Sequence, residues 1–169
     1  MSSWQAGYLY AVSFSPSSDA VKDINLIRGE INQALGQFIK DENQDLARIG
    51  SDLDPVSEHL EKFLLDSGKR LRPLFAYIGY LGAAKNPTPE MVTAFASLEL
   101  VHVCALIHDD VMDGSDTRRG APAIHKSFEK LHRDKKLSGS AEQFGMSAAI
   151  LLGDLALIWS DQMQHNAGL

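Results

Sequence analysis

The sequence predicts an all-α fold, and three observations carry that prediction. Apolar residues recur at gaps of three and four over long stretches, the spacing that lines one face of a helix. Two pairs, Asp54-Pro55 and Thr88-Pro89, combine a capping side chain with a first-turn proline. No segment shows the alternation of a half-buried strand convincingly.

In chain order, residues 1–18 set Trp4, Tyr8, Tyr10 and Phe14 among Ser and Gly. They lack the basic start and unbroken apolar core of a signal peptide, and read as a mobile arm or a segment that packs on a partner. Residues 19–169 form one helical domain. Its first helix starts at Asp19 and buries Ile24, Ile27, Ile31, Leu35 and Phe38. Asp54 caps a second helix carrying Val56, Leu60, Phe63 and Leu64, which Ser67-Gly68 ends. Pro73 opens a third, running through Leu81 and closing around Gly82. Residues 86–90 supply turn chemistry and the Thr88 cap, followed by a long helix to about Asp113. Residues 114–122 read as a polar loop and 132–140 as a second one. The last helix, over 141–163, is apolar on nearly every face between Ala148 and Trp159.

A membrane span needs about 20 apolar residues, and Gly153-Asp154 interrupts this run near its middle. No membrane span is therefore expected; the segment reads as a buried central helix. A helix apolar all round belongs inside a larger bundle. With the sequence ending soon afterwards at Leu169, either a partner chain covers that helix or the chain is a fragment.

Composition narrows the function. The 169 residues carry a formal charge of −6, which argues against a nucleic-acid partner. Cys104 is the single cysteine, so there is no internal disulfide and no thiolate metal site, in keeping with a reducing cytoplasmic location.

Near the end of the long helix, His102, Leu106, Asp109 and Asp113 fall on one stripe, with Asp110 beside it. Like charges four apart cost a helix about 0.2–0.5 kcal/mol, and acids near a C-terminus also oppose the macrodipole. A divalent cation would relieve both. Oxygen-only donors from one short segment suit Mg²⁺, which takes its remaining ligands from water and phosphate. A solvated acidic helix end is the plain alternative. The apolar stretch preceding the acids instead places them at the mouth of a core. An EF-hand is excluded, because the acids do not alternate in its register.

Two basic clusters flank this stripe in sequence. Lys69, Arg70 and Arg72 stand just before the helix that Pro73 opens, on the wrong side of its dipole at about 0.3–1 kcal/mol each. Three cations there make sense if an anion joins them. This is not a Walker loop, since the following Ser/Thr is missing. Arg118-Arg119-Gly120 follows the acids, and paired guanidiniums suit phosphate oxygens. Each cluster alone reads as surface; the three together describe a site for two diphosphates.

These residues resemble the trans-isoprenyl diphosphate synthase family. Gly68-Lys69-Arg70-Leu71-Arg72-Pro73 looks like its basic motif, and the run from His108 through Asp109-Asp110-Val111-Met112-Asp113 to Arg118-Arg119-Gly120 looks like its first aspartate-rich motif. Glu99-Leu100-Val101-His102 and Leu152-Gly153-Asp154 are similar too. The resemblance implies an antiparallel helical bundle of the isoprenoid synthase type, of which this chain holds only the N-terminal helices. It implies Mg²⁺ on Asp109 and Asp113 with Asp110 supporting, Arg118 on the allylic diphosphate, and Lys69, Arg72, His102 and Arg119 on isopentenyl diphosphate. It further implies a homodimer. Small side chains at Cys104 and Ala105, about one turn before Asp109, suggest a product of C20 or longer. Family chains are about twice this length and carry a second aspartate-rich motif that is missing here, so the chain alone is expected to be inactive.

Other classes fit less well. An HD-type metal phosphohydrolase would use His108-Asp109 and leave the remaining charges incidental. A non-catalytic prenyltransferase-like subunit would have no need of both motifs. Terpene cyclases share the acids but lack the site that Lys69 and Arg72 represent.

Overall fold

The computed structural model describes residues 18–66, 68–83 and 87–169, with side chains from residue 24 onward. The expected arm over 1–18 lies outside the described residues except for Ser18, as do Ser67 and the start of the turn at Asn86. Six helices form in order: α1 (Ser18–Ile49), α2 (Asp54–Leu65), α3 (Leu71–Ala83), α4 (Pro89–Met112), α5 (Ile124–Asp134) and α6 (Ala141–Asn166). A 3-10 turn, Ser51–Leu53, joins α1 to α2. Two short strands, β1 (Thr117–Arg118) and β2 (Ala121–Pro122), pair as an antiparallel hairpin between α4 and α5. The bundle is all-α, as the apolar spacing requires.

The predicted starts hold with small, explicable shifts. Thr88 caps α4, its hydroxyl accepting the Met91 N–H at 3.4 Å, with Pro89 in the first turn. Asp54 is the first residue of α2 rather than its cap; the cap is Leu53. Helix α3 starts at Leu71, two residues before Pro73. A proline fits there because the first four N–H groups of a helix have no partner within it. The first closing bond runs from the Leu74 N–H to the Arg70 carbonyl at 3.0 Å.

The larger corrections fall between α4 and α6. The segment over 114–122 is not merely a loop, since it holds the hairpin. Its two turn residues, Arg119 and Gly120, have φ of 52° and 78°, the left-handed pair of a type I′ turn. Helix α5 occupies residues that apolar spacing left unassigned, and it runs through His132 to Asp134, shortening the second loop to 135–140. Its inward face is mixed: Ile124 and Phe128 are buried together with His125, Glu129 and His132.

Helix α6 packs along α4 and α5. Its contact with α4 is close because the facing residues are small: Ala96 on α4, and Ala149, Gly153 and Ala156 on α6, are all buried. The Ser160 hydroxyl donates to the Ser97 carbonyl at 2.8 Å within this interface. Ile31, Leu35 and Ile39 of α1, Leu60 and Leu64 of α2, and Leu100 and Ile107 of α4 complete the core. Each such burial contributes about 1.5–3 kcal/mol. Trp159 meets Phe38 edge-on at 6.2 Å. Helix α6 also leaves Ile150, Leu151, Leu157 and Ile158 exposed. By length and composition both α4 and α6 could cross a membrane, with half of the apolar window of α4 buried in the bundle and 28% of that of α6.

Candidate active site

The basic loop between α2 and α3 is built around Arg70. This residue has φ of 52° and is only 3% exposed. Its guanidinium reaches three elements: Nε donates to Asn32 Oδ1 of α1 at 2.8 Å, Nη1 to Glu99 Oε1 of α4 at 3.1 Å, and Nη2 to the Leu65 carbonyl at 3.4 Å. Gly68 is required beside it, since a Cβ there would lie 2.5 Å from Nη1. Arg28 Nε donates to the Lys69 carbonyl at 3.2 Å. Lys69 and Arg72 both remain exposed. The three cations of the sequence thus divide, two facing solvent and one inside as the counterion of Glu99. Arg72 also sits within the first turn of α3 rather than before it.

The acidic end of α4 divides in the same way. Asp109 and Asp113 are exposed one turn apart, while Asp110 is 2% exposed. Asp110 accepts two bonds from Arg118, from Nε to Oδ2 and from Nη2 to Oδ1, each at 2.7 Å. This fork raises the Arg118 pKa above its ordinary value, chiefly through the Asp110 hydrogen bond, with Asp109 and Asp113 adding to the pull. The type I′ turn then sends Arg119 the other way, where Nη1 donates to the Asp66 carbonyl at the end of α2, at 2.7 Å.

His102, half-buried on α4, feels the charges of both sets. Burial lowers its pKa below the ordinary histidine value; Arg72, Arg119 and Arg118 push it further down while Glu99 opposes them. The ring is therefore neutral near pH 7. Its Nδ1 is buried without a hydrogen-bond partner among the described residues. A polar atom left so is costly unless something binds it.

Among the described residues no three metal-binding side chains gather at one point. The donor set nevertheless fits Mg²⁺, which is commonly held by one or two carboxylates plus substrate phosphates. Asp109 and Asp113 offer those two.

Cys104 and Ala105 part company: Cys104 is buried and Ala105 exposed. Burial pushes the Cys104 thiol up, and Asp154 adds to the effect. His108 is fastened to α6. Its Nε2 donates to the Ile150 carbonyl at 3.1 Å and lies 3.6 Å from Asp154, while Nδ1 is 3.8 Å from the Cys104 sulfur. Nε2 thus ties α4 to α6, while Nδ1 turns back to Cys104 on α4 itself. Sequence reasoning noted Glu99 only as part of a pattern and missed Asn32 altogether; neither carries a local signal, because their partner is distant in sequence.

The described residues thus form an all-helical bundle with an exposed carboxylate pair, Asp109 and Asp113, at the end of α4 and exposed cations, Lys69 and Arg72, at the start of α3. A family model described as polyprenyl synthetase matches residues 54–167. The chain belongs to the polyprenyl synthetase family. It is 37% identical over 100 residues to a short chain isoprenyl diphosphate synthase of Methanocaldococcus jannaschii, covering 59% of this chain and 24% of that protein. To a nonaprenyl diphosphate synthase of Mycobacterium tuberculosis it is 31% identical over 134 residues, covering 73% of this chain and 34% of the relative. Among solved structures, a geranylgeranyl pyrophosphate synthase from Corynebacterium glutamicum, complexed with isoprenyl diphosphate and magnesium, superposes with a TM-score of 0.79 at 40% identity. That match covers 85% of this chain and 42% of the other. The chain thus spans less than half the length of each of these relatives.

Proposed function

We propose that these residues form one wall of a Mg²⁺-dependent prenyltransferase site that joins an allylic diphosphate to isopentenyl diphosphate. The carrying observation is the order along α4: half-buried His102, on whose ring the charges of Arg72, Arg119 and Arg118 all act, stands on the helix whose end presents Asp109 and Asp113. The similarity to a synthase solved with isoprenyl diphosphate and magnesium supports this reading.

Asp109 and Asp113 would hold Mg²⁺, which when bound neutralises charge on the departing diphosphate. Arg118 contacts that diphosphate while its fork to Asp110 fixes its plane. Lys69, Arg72, His102 and Arg119 hold the diphosphate of isopentenyl diphosphate. The allylic C–O bond breaks with its electron pair leaving on diphosphate, the double bond of the second substrate forms the new C–C bond, and a proton departs to the released diphosphate. No side-chain nucleophile enters, and the cations act by stabilising developing negative charge. The small residues Cys104 and Ala105 favour a product of C20 or longer. A homodimer in the cytoplasm, with no membrane span, completes the reading; the apolar residues exposed on α6 supply surface for a partner.

With one acidic wall, the 169-residue chain alone turns over no substrate. The test incubates the purified chain with Mg²⁺, isopentenyl diphosphate and a C5 to C15 allylic diphosphate. Robust prenyl product overturns the inactivity. Absence of any diphosphate binding by calorimetry overturns the site.

A further inference from the structure

We infer that Arg70, Glu99 and Asn32 are positioning residues: an anchor, with a buried ion pair at its centre, that fixes the backbone of the basic loop so that Lys69 and Arg72 are presented to an anion together. The inference rests on the diphosphate reading above and deepens it, because Arg70 is buried away from the solvent that Lys69 and Arg72 face.

Four features converge on the anchor. The loop conformation is one a non-glycine residue adopts at a cost, since Arg70 has φ of 52°. Such strain persists only where surroundings over-determine it, and here one guanidinium is bonded into α1, α2 and α4 at once. Both members of the ion pair are sequestered, with side chains 3% and 5% exposed. The neighbouring backbone is held as well. Arg28 grips the Lys69 carbonyl, and the Arg70 carbonyl accepts the first closing bond of α3. Gly68 completes the fit, because any side chain there would displace the guanidinium.

The consequence is geometric. Lys69 precedes Arg70 and Arg72 follows it in the first helical turn, so the direction of both is inherited from the Arg70 backbone. Glu99 also stands one turn before His102 on α4, and its carboxylate acts on that ring. One buried acid therefore joins the loop cations and the histidine into a single preorganised set. Lysine cannot replace Arg70, since one ammonium does not reproduce a planar fork serving three acceptors in different elements.

The decisive variant is the double Arg70→Met/Glu99→Leu, which removes the anchor while leaving an apolar pair that a buried site tolerates. Arg70→Lys is the charge-conserving companion, Lys69→Ala the direct-contact reference and Met163→Ala the core-truncation reference. Two quantities are read on the full 169-residue chain: calorimetric affinity for inorganic diphosphate, and hydrogen exchange over residues 68–74. The double variant and Arg70→Lys are each expected to lose about tenfold or more in affinity, since misplacement of contacting groups by an ångström is enough for that. Both should exchange faster over 68–74. Lys69→Ala should lose affinity with unchanged exchange, and Met163→Ala should keep both. Wild-type affinity with wild-type exchange in the double variant overturns the anchor alone. Faster exchange with undiminished affinity shows a purely structural role and overturns it too. A wild-type chain that binds no diphosphate overturns the underlying reading, and with it the purpose assigned to the anchor.

Discussion

The basic loop between α2 and α3 and the acidic end of α4 carry opposite charges, yet they are built alike. In each, the middle ion is buried and paired with a counterion from elsewhere, Arg70 by a single bond to Glu99 and Asp110 by a fork to Arg118. The flanking ions, Lys69 and Arg72 or Asp109 and Asp113, face solvent. The two differ in depth. Both members of the Arg70 pair are sealed, whereas Arg118 remains 27% exposed in its side chain. A charged motif can therefore contain its own support, with the member that looks most like its neighbours doing a different job.

That comparison can be broken by mutation. Removing one partner of a buried pair costs about 3–5 kcal/mol because the other charge is left unpaired. Arg70→Ala should fall in that range by urea denaturation, and Asp110→Ala should cost less, since water reaches Arg118. A larger loss for Asp110→Ala would reverse the ranking. Next in size is Gly153→Ala, whose new Cβ would lie 2.2 Å from His108 Nε2. Overpacking of this kind costs about 1–3 kcal/mol, read as a lower denaturation midpoint.

A pH titration separates the two regions further. The His102 pKa is held below its ordinary value of 6.5. Below 6.5 the unfolded chain binds the proton before the folded one does, so stability contributed by the neutral ring is full above 6.5 and lost as pH falls through the folded value. His102→Gln should flatten that part of the stability profile. An unchanged acid limb would remove His102 from the account. The smallest effect has the opposite sign. Asp113→Asn relieves a like-charge pair and should stabilise the chain by about 0.2–0.5 kcal/mol while weakening Mg²⁺-dependent diphosphate binding. Equal binding in both forms would take Asp113 out of the metal site.

Much of this architecture is legible in the sequence, for physical reasons that also mark where legibility stops. Helices α1, α2 and α4 announce themselves because their buried faces are aliphatic at helical spacing, as with Ile27, Ile31 and Leu35. Helix α5 does not, because His125, Glu129 and His132 occupy its inward face and only tertiary packing decides their burial. The hairpin is hidden by Arg119, a residue with no preference for the left-handed turn position it holds. In the site, the clustering of acids and bases is visible, but which member of each cluster turns inward depends on Glu99, Asn32 and the hairpin. Those are long-range partners that no local pattern specifies.

The contact of Gly153 with His108 has a consequence of another kind. Two helices that touch through flat surfaces can slide past one another, but here an imidazole rests in the notch that Gly153 leaves on α6, tied to the Ile150 carbonyl. The notch works as a keyway: it sets the register of α4 against α6, and so fixes how far Asp109 projects beyond the bundle. Neither position can then drift independently. A lineage that fills the notch must trim the ring in the same step, or let the acidic helix end move out of line with its cations.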